Sequence, residues 1–314
     1  MKALYFDGQL RFTEIPEPKL RENEALIRVR YAGICNTDLE IFKGYMGFNG
    51  VPGHEFVGEV VEAPDKGLIG KRVVGEINIA CGKCDMCLSG HRKHCRNIRT
   101  LGINNWDGAF AEYLKLPIEN LHPVPNSIDD IEAVFVEPLA AAVQVLEQVN
   151  FRPTDRVAVV GDGKLGLLIS LVLKARNIDH ILIGKHPSRA KDIVKGIPLA
   201  FPDRIQELSG QIDIAVEATG NSQGFALAVN IVKPTGTIVL KSTYASGSTF
   251  DFSPVVVKEL NVIGSRCGSF KPAIGFLEKK LVPVKSMVSA VYPFEEAIDA
   301  FSATPGALKV LLRF

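Results

Sequence analysis

The sequence predicts an α/β fold in which a doubly wound parallel sheet is inserted into a β-rich unit. Three observations carry this. From Arg156 onward, short apolar runs alternate with helical segments, the βαβ rhythm of a parallel sheet. Within that region Val157-Ala-Val-Val-Gly161-Asp-Gly163-Lys-Leu-Gly166 sets a buried strand before a G-x-G-x-x-G turn and an apolar helix. Residues 1 to about 125, by contrast, hold many short strand candidates and little helix, as in a barrel-like all-β unit.

In chain order, residues 25–31 alternate apolar and polar side chains at the period of a half-buried strand. Residues 57–62, 72–75 and 109–116 are further strand candidates, separated by Gly, Pro and Asp turn signals. Residues 131–149 form an Ala- and Val-rich helix with Pro138 near its start, where proline is tolerated. The parallel strands are expected at 156–160, 180–183, 212–217, 237–241 and 261–264. Pro198 and Pro202 limit the helix that fits between the second and third. Short helices at 273–280 and 295–301 and a strand at 308–314 then return to the first unit. The division is therefore 1–140, 141–267 and 268–314, the middle segment binding the cofactor.

With 314 residues and a net charge of +1, the chain has room for about two domains and no electrostatic case for nucleic acid or an acidic membrane. The first residues lack a signal-peptide apolar core and no run reaches transmembrane length, which reads as cytoplasmic. Four of the cysteines lie within fifteen residues, a metal pattern of a reducing compartment rather than a disulfide framework.

The glycine turn has a physical logic. Its first glycine permits the turn, its second lets backbone approach a pyrophosphate, and its third lets helix and strand pack closely. The helix amino end then offers unpaired N–H groups to the phosphates. Gly161, Gly163, Lys164, Leu165 and Gly166 are the candidate cofactor contacts there. Glycine-rich turns also occur without ligands, so the turn needs the rest of the chain for support.

Cys81, Cys84, Cys87 and Cys95 follow a C-x2-C-x2-C-x7-C spacing. Four thiolates this close can close tetrahedrally on one zinc and leave no open position, a structural site; an iron–sulfur cluster is the rival. His91 and His94 read as solvated loop residues. A second set is dispersed: Cys35 in a polar turn after a strand, His54-Glu55 before another strand, and Glu137 opening an apolar helix. Ligands of these types with a free position would suit a catalytic zinc, although lone Cys and His residues are more often simply packed.

Gly33-Ile-Cys35-Asn-Thr37-Asp38, Gly53-His54-Glu55-Phe-Val-Gly58, the four-cysteine lobe, Asp107-Gly-Ala-Phe-Ala-Glu-Tyr113, Glu137-Pro138-Leu139-Ala140, the glycine turn and Glu217-Ala-Thr-Gly220 occur in one order. In that order the sequence resembles the zinc-dependent medium-chain dehydrogenase/reductases of the alcohol and polyol dehydrogenase type. The resemblance implies a GroES-like catalytic domain formed by both chain ends around an inserted Rossmann-type domain. It assigns the catalytic zinc to Cys35 and His54, with Glu55 and Glu137 as further carboxylates near the metal and either able to contact it. Asp38 would orient a ligand, and Thr37 would pass the substrate proton onward. Thr219 and Lys309 join the cofactor contacts by the same analogy. Glu137 in place of a cysteine resembles the polyol, sugar and threonine branch. Two departures stand out: Glu40 replaces the histidine that ends the proton relay in many relatives, and the loops near 64–70 and 185–205 are short.

NAD-specific sites place an acid about 20 residues past the glycine turn. Here the second strand ends in Gly184-Lys185-His186-Pro-Ser-Arg189, without a carboxylate. Lys185, His186 and Arg189 could instead hold a 2′-phosphate, so NADP(H) is expected over NAD(H); a solvated basic loop is the plainer alternative. The expected activity is zinc-dependent hydride transfer between NADP(H) and an alcohol, polyol or sugar in a homodimer or homotetramer. Phe48, Asn104 and Trp106 are candidates for the substrate pocket wall or equally for core filling. A zinc-independent quinone or enone reductase and a non-catalytic NADPH sensor are the alternative functions.

Overall fold

A computed structural model describes residues 1–243 and 250–314; the side chains of Pro187, Arg189, Pro202, Asp203 and Arg204 lie outside that description. The chain forms two compact units, one of Met1–Glu137, Phe270–Lys279 and Met287–Phe314, the other of Pro138–Ser269 and Lys280–Ser286.

The first unit is built on a seven-stranded sheet. Its path runs Val288–Pro293, Lys309–Arg313, Glu24–Ile34, Glu55–Glu62, Arg72–Gly75 and Leu121–Pro123, with Tyr113–Pro117 paired to the first half of Glu24–Ile34. The long central strand alternates buried and exposed positions, burying Ala25, Ile27 and Val29 completely or nearly so. The last strand lies antiparallel to it with Val310 opposite Ile34 and Leu311 opposite Gly33. On the other side Gly33 faces Glu55. This register brings Lys309, Cys35 and Glu55 to one end of three adjacent strands.

The second unit holds a six-stranded, all-parallel sheet in the order Leu199–Ala200, His180–Ile183, Val157–Val160, Ile212–Glu217, Val232–Leu240 and Asn261–Gly264. Numbered along the chain this is 3-2-1-4-5-6, the doubly wound order. Val157–Val160 is buried along its whole length, as a central parallel strand covered on both faces must be. The helix Lys164–Ala175 is buried on all sides from Gly166 to Leu173.

Three local expectations need correction. The helix expected at 131–149 is two helices, Asp130–Val134 and Val136–Gln148. The Asp129–Glu132 capping box starts a short helix of its own, which one residue, Phe135, separates from the next. The parallel sheet has a further strand, Leu199–Ala200, which is two residues long and sits between the two prolines. The strand expected at 237–241 begins earlier, at Val232, which pairs with Ile212; the register then slips, with Thr235 at a positive φ of 64°, before Thr237 pairs with Ile214. No helix among the described residues is long and apolar enough to cross a membrane.

Candidate functional site

Cys35 caps the helix Asn36–Ile41, and that cap places its neighbours. The Asp38 carboxylate turns back so that Oδ2 accepts the Cys35 backbone N–H at 2.8 Å. Its other oxygen, Oδ1, lies 3.3 Å from His54 Nδ1. Asp38 is completely buried, so one carboxylate ties the backbone of the thiol residue to the imidazole. With one ring nitrogen facing Asp38, the other is left for a ligand. Burial opposes protonation of His54, yet the Asp38 carboxylate and Cys35 outweigh it and hold the ring pKa well above its ordinary value.

Cys35, His54 and Glu55 each bring one ligand atom within 4.8 Å of the other two. Thr37 Oγ1 stands 3.7 Å from Cys35 Sγ. Thiolate, imidazole and carboxylate donors at these separations suit a zinc ion with a remaining open position. Glu137 is not in that three-residue group. Its charge is nonetheless felt at Lys309, whose pKa is raised in part by Glu137.

Lys309, a cofactor contact by analogy, is buried against Glu55, its Nζ donating to Oε2. Burial alone would lower the lysine pKa, but the charges of Glu55, Cys35 and Glu137 prevail and raise it. Sequence reasoning missed this partner because the two residues are 254 positions apart. Only the strand register could have revealed it.

The four-cysteine lobe is compact. Sulfur separations are 3.5 Å for Cys84–Cys87, 3.8 Å for Cys84–Cys95 and 4.0 Å for Cys81–Cys87. Four sulfurs about 2.3 Å from one zinc would be spaced by about 3.8 Å, the edge of that tetrahedron. The thiols are unevenly tuned. Backbone N–H groups of Lys83 and Cys84 bring Cys81 down to about 6, whereas burial pushes Cys87 up to about 12. His91 and His94 are exposed.

In the second unit the glycine turn has the shape its logic requires. Gly161 has a φ of +115°, and a Cβ on Gly166 would lie 1.8 Å from the Gly161 carbonyl oxygen. Around Gly163 there is open space, with nothing within 4 Å of where a Cβ would stand. Backbone can therefore approach a phosphate there. Lys164 and Leu165 are half-buried at the start of the helix. Thr219 closes the loop after the strand Ile212–Glu217: its N–H and hydroxyl both donate to Glu217 Oε1, at 2.7 and 2.5 Å. Lys185 and His186 are exposed at the tip of His180–Ile183, and the Arg189 side chain lies outside the described residues.

The tip also holds a group that sequence reasoning missed. Asp162, inside the glycine turn, accepts the His186 backbone N–H at 2.5 Å. Its signal in the sequence is an acid between two glycines together with a glycine, Gly184, ending the next strand.

The remaining candidates have local partners. Glu40 pairs with Lys43 at 2.8 Å. Phe48 packs with Phe6 and Ile41. Trp106 donates its indole N–H to the Lys115 carbonyl at 2.9 Å, and Asn104 donates to the Ile98 carbonyl.

The comparisons agree with this architecture. Residues 21–126 match the alcohol dehydrogenase GroES-like domain, and residues 132–314 match the glucose dehydrogenase C-terminus. The chain is 30% identical to a sorbitol dehydrogenase of Halalkalibacterium halodurans, over 99% of this chain and 98% of the relative. It is 28% identical to D-arabinitol dehydrogenase 1 of Uromyces fabae, over 100% and 97%. An alcohol dehydrogenase from Escherichia coli CFT073, solved with NADH, superposes with a TM-score of 0.92 at 27% identity, covering 100% of this chain and 99% of that one. A zinc-binding dehydrogenase from Sinorhizobium meliloti, solved with NADP, gives 0.87 at 27% identity over the same shares.

Proposed function

The chain belongs to the zinc-dependent medium-chain dehydrogenase/reductase family, and we propose that it oxidises and re-forms a secondary alcohol of a polyol or sugar with NADP(H). The observation that carries this reading is the convergence of the Cys35, His54 and Glu55 ligand atoms within 4.8 Å of one another, beside the Thr37 hydroxyl.

Cys35, His54 and a carboxylate, Glu55 or Glu137, would hold the catalytic zinc. Cys81, Cys84, Cys87 and Cys95 would hold a second, structural one. Bound at the first set, a metal would supply Lewis-acid polarisation of the substrate oxygen, and a bound nicotinamide would supply the hydride chemistry. The protein's own groups do the rest. Asp38 fixes the orientation of His54, and Thr37 takes the proton of the substrate hydroxyl. Lys309 balances the negative charge of Glu55. The turn Gly161–Gly166 carries the pyrophosphate on backbone N–H groups. Lys185 and His186 at the next strand tip support NADP(H) over NAD(H). Self-association belongs to the same reading: Asn261–Gly264, at the end of the parallel sheet, is largely exposed and leaves an edge for a second copy.

A panel of alcohols, polyols, aldoses and amino alcohols assayed with both cofactors, alongside zinc determination, tests the proposal. Turnover of a polyol with two zinc ions per chain is the expected result. Reduction of quinones or enones with one zinc or none would replace it, and nucleotide binding without any turnover would point to a sensor.

A further inference from the structure

The second unit contains a carboxylate that this reading leaves without a task. Asp162 stands between Gly161 and Gly163 and is 7% exposed. Its Oδ2 accepts the His186 backbone N–H at 2.5 Å, and its Oδ1 lies 3.3 Å from His186 Nδ1. Gly184 makes the room: a Cβ there would stand 2.2 Å from Asp162 Cγ. The register of the first two strands, with Val160 beside Ile183, places the two segments side by side as they leave the sheet. Asp162 and Gly184 thus work as one device. A side chain from the first turn fills the space at the tip of the second strand.

The device acts on a ring. An ionised carboxylate only accepts hydrogen bonds, so Nδ1 is the nitrogen that carries hydrogen towards Asp162, and Nε2 faces away from it. The His186 side chain is 58% exposed, which leaves Nε2 open, and as imidazolium the ring donates there to an anion. In doubly wound sheets the tip of the second strand is where the adenosine ribose is read.

We propose that Asp162 is a positioning residue for cofactor choice: it holds His186 so that the imidazole, together with Lys185, receives the 2′-phosphate of NADP(H). This rests on the NADP(H) reading above. It also explains why an acid can stand beside a phosphate site, since both Asp162 oxygens are turned to His186 rather than outward.

Calorimetric titration of the zinc-loaded full chain with adenosine 2′,5′-bisphosphate and with 5′-AMP separates the two levels of the argument. The unsubstituted protein tests the reading: the bisphosphate should bind at least about tenfold more tightly, the worth of one charge-assisted hydrogen bond. If the two bind equally and H186Q changes neither, NADP(H) preference is wrong and the positioning role falls with it. If the preference is present, D162N tests the inference. The carboxamide of that variant would still accept the His186 backbone N–H and keep the turn, but it would no longer hold the ring by charge. Bisphosphate affinity should fall about tenfold with 5′-AMP changed less than about twofold, and D162N should add little to H186Q. G184A, which evicts the Asp162 side chain, should show the same selective loss. Equal loss of both ligands in D162N would reduce Asp162 to a turn-forming residue. A gain in bisphosphate affinity would make it a reader of the ribose hydroxyl that excludes the phosphate. Either result overturns the proposal.

Discussion

Replacing Lys309 by Met removes a buried ammonium while keeping most of the alkyl volume. Lys309 is 2% exposed and Glu55 1% exposed, so the variant leaves a carboxylate in a low-dielectric interior without its counter-charge. Breaking a buried pair from one side costs about 3–5 kcal/mol, most of it the desolvation of the abandoned partner. At about 2–4 °C per kcal/mol for a unit of this size, metal-stripped K309M should melt roughly 6–20 °C below the metal-stripped parent. Zinc should shrink that gap, because a dication among Cys35, His54 and Glu55 offers the carboxylate a second counter-charge. The double variant E55Q/K309M should recover most of the loss, since it abandons no charge. The pH dependence has a definite sign. Lys309 has a pKa raised above its ordinary 10.5, so the pair's contribution is complete below that value and is lost only as pH rises through the folded pKa. Up to about pH 9 the pair in the parent therefore contributes in full. Scanning calorimetry of metal-stripped and zinc-loaded samples reads all of this. A K309M protein within about 1 kcal/mol of the parent, or a double variant no more stable than K309M, would refute the claim that this pair holds a buried charge in place.

Other substitutions address the remaining parts of the site. Cys35→Ser should leave dinucleotide affinity, read by NADPH fluorescence, within about twofold while turnover falls below about a hundredth; full activity would remove this thiol from the mechanism. Cys95→Ser should lower zinc content from two to one per chain and release the ion preferentially to a chelator, because three thiolates no longer close the tetrahedron. Unchanged stoichiometry would mean that the lobe does not need this thiolate to hold its metal. Gly166→Ala, whose Cβ would meet the Gly161 carbonyl oxygen at 1.8 Å, should cost about 2 kcal/mol or more and weaken dinucleotide binding; a neutral effect in both assays would show that this close packing does not shape the turn.

What can be read from the chain alone depends on how far apart the cooperating residues lie. The strands His180–Ile183, Ile212–Glu217 and Asn261–Gly264 are legible because a short apolar run between helical segments has few other places to go in a parallel sheet. Leu199–Ala200 is not, because a two-residue edge strand between prolines carries no periodicity at all. The site divides in the same way. The four cysteines fall within fifteen residues, so their spacing already brings four sulfurs together. Asp38 and Cys35 are three residues apart, and a helix cap joins them. The Lys309–Glu55 pair has no local signature; it exists because Val310 pairs with Ile34 while Gly33 pairs with Glu55. The acid beside the second strand tip is hidden more subtly. Along the chain Gly184 follows that strand and offers no carboxylate, so the tip reads as purely basic. The fold delivers Asp162 to it from the neighbouring turn, and Gly184 is what admits it. A glycine at a position where a side chain is expected to act is therefore informative in its own right: it marks space that another residue has taken, and the chemistry at that point belongs to the residue that fills it.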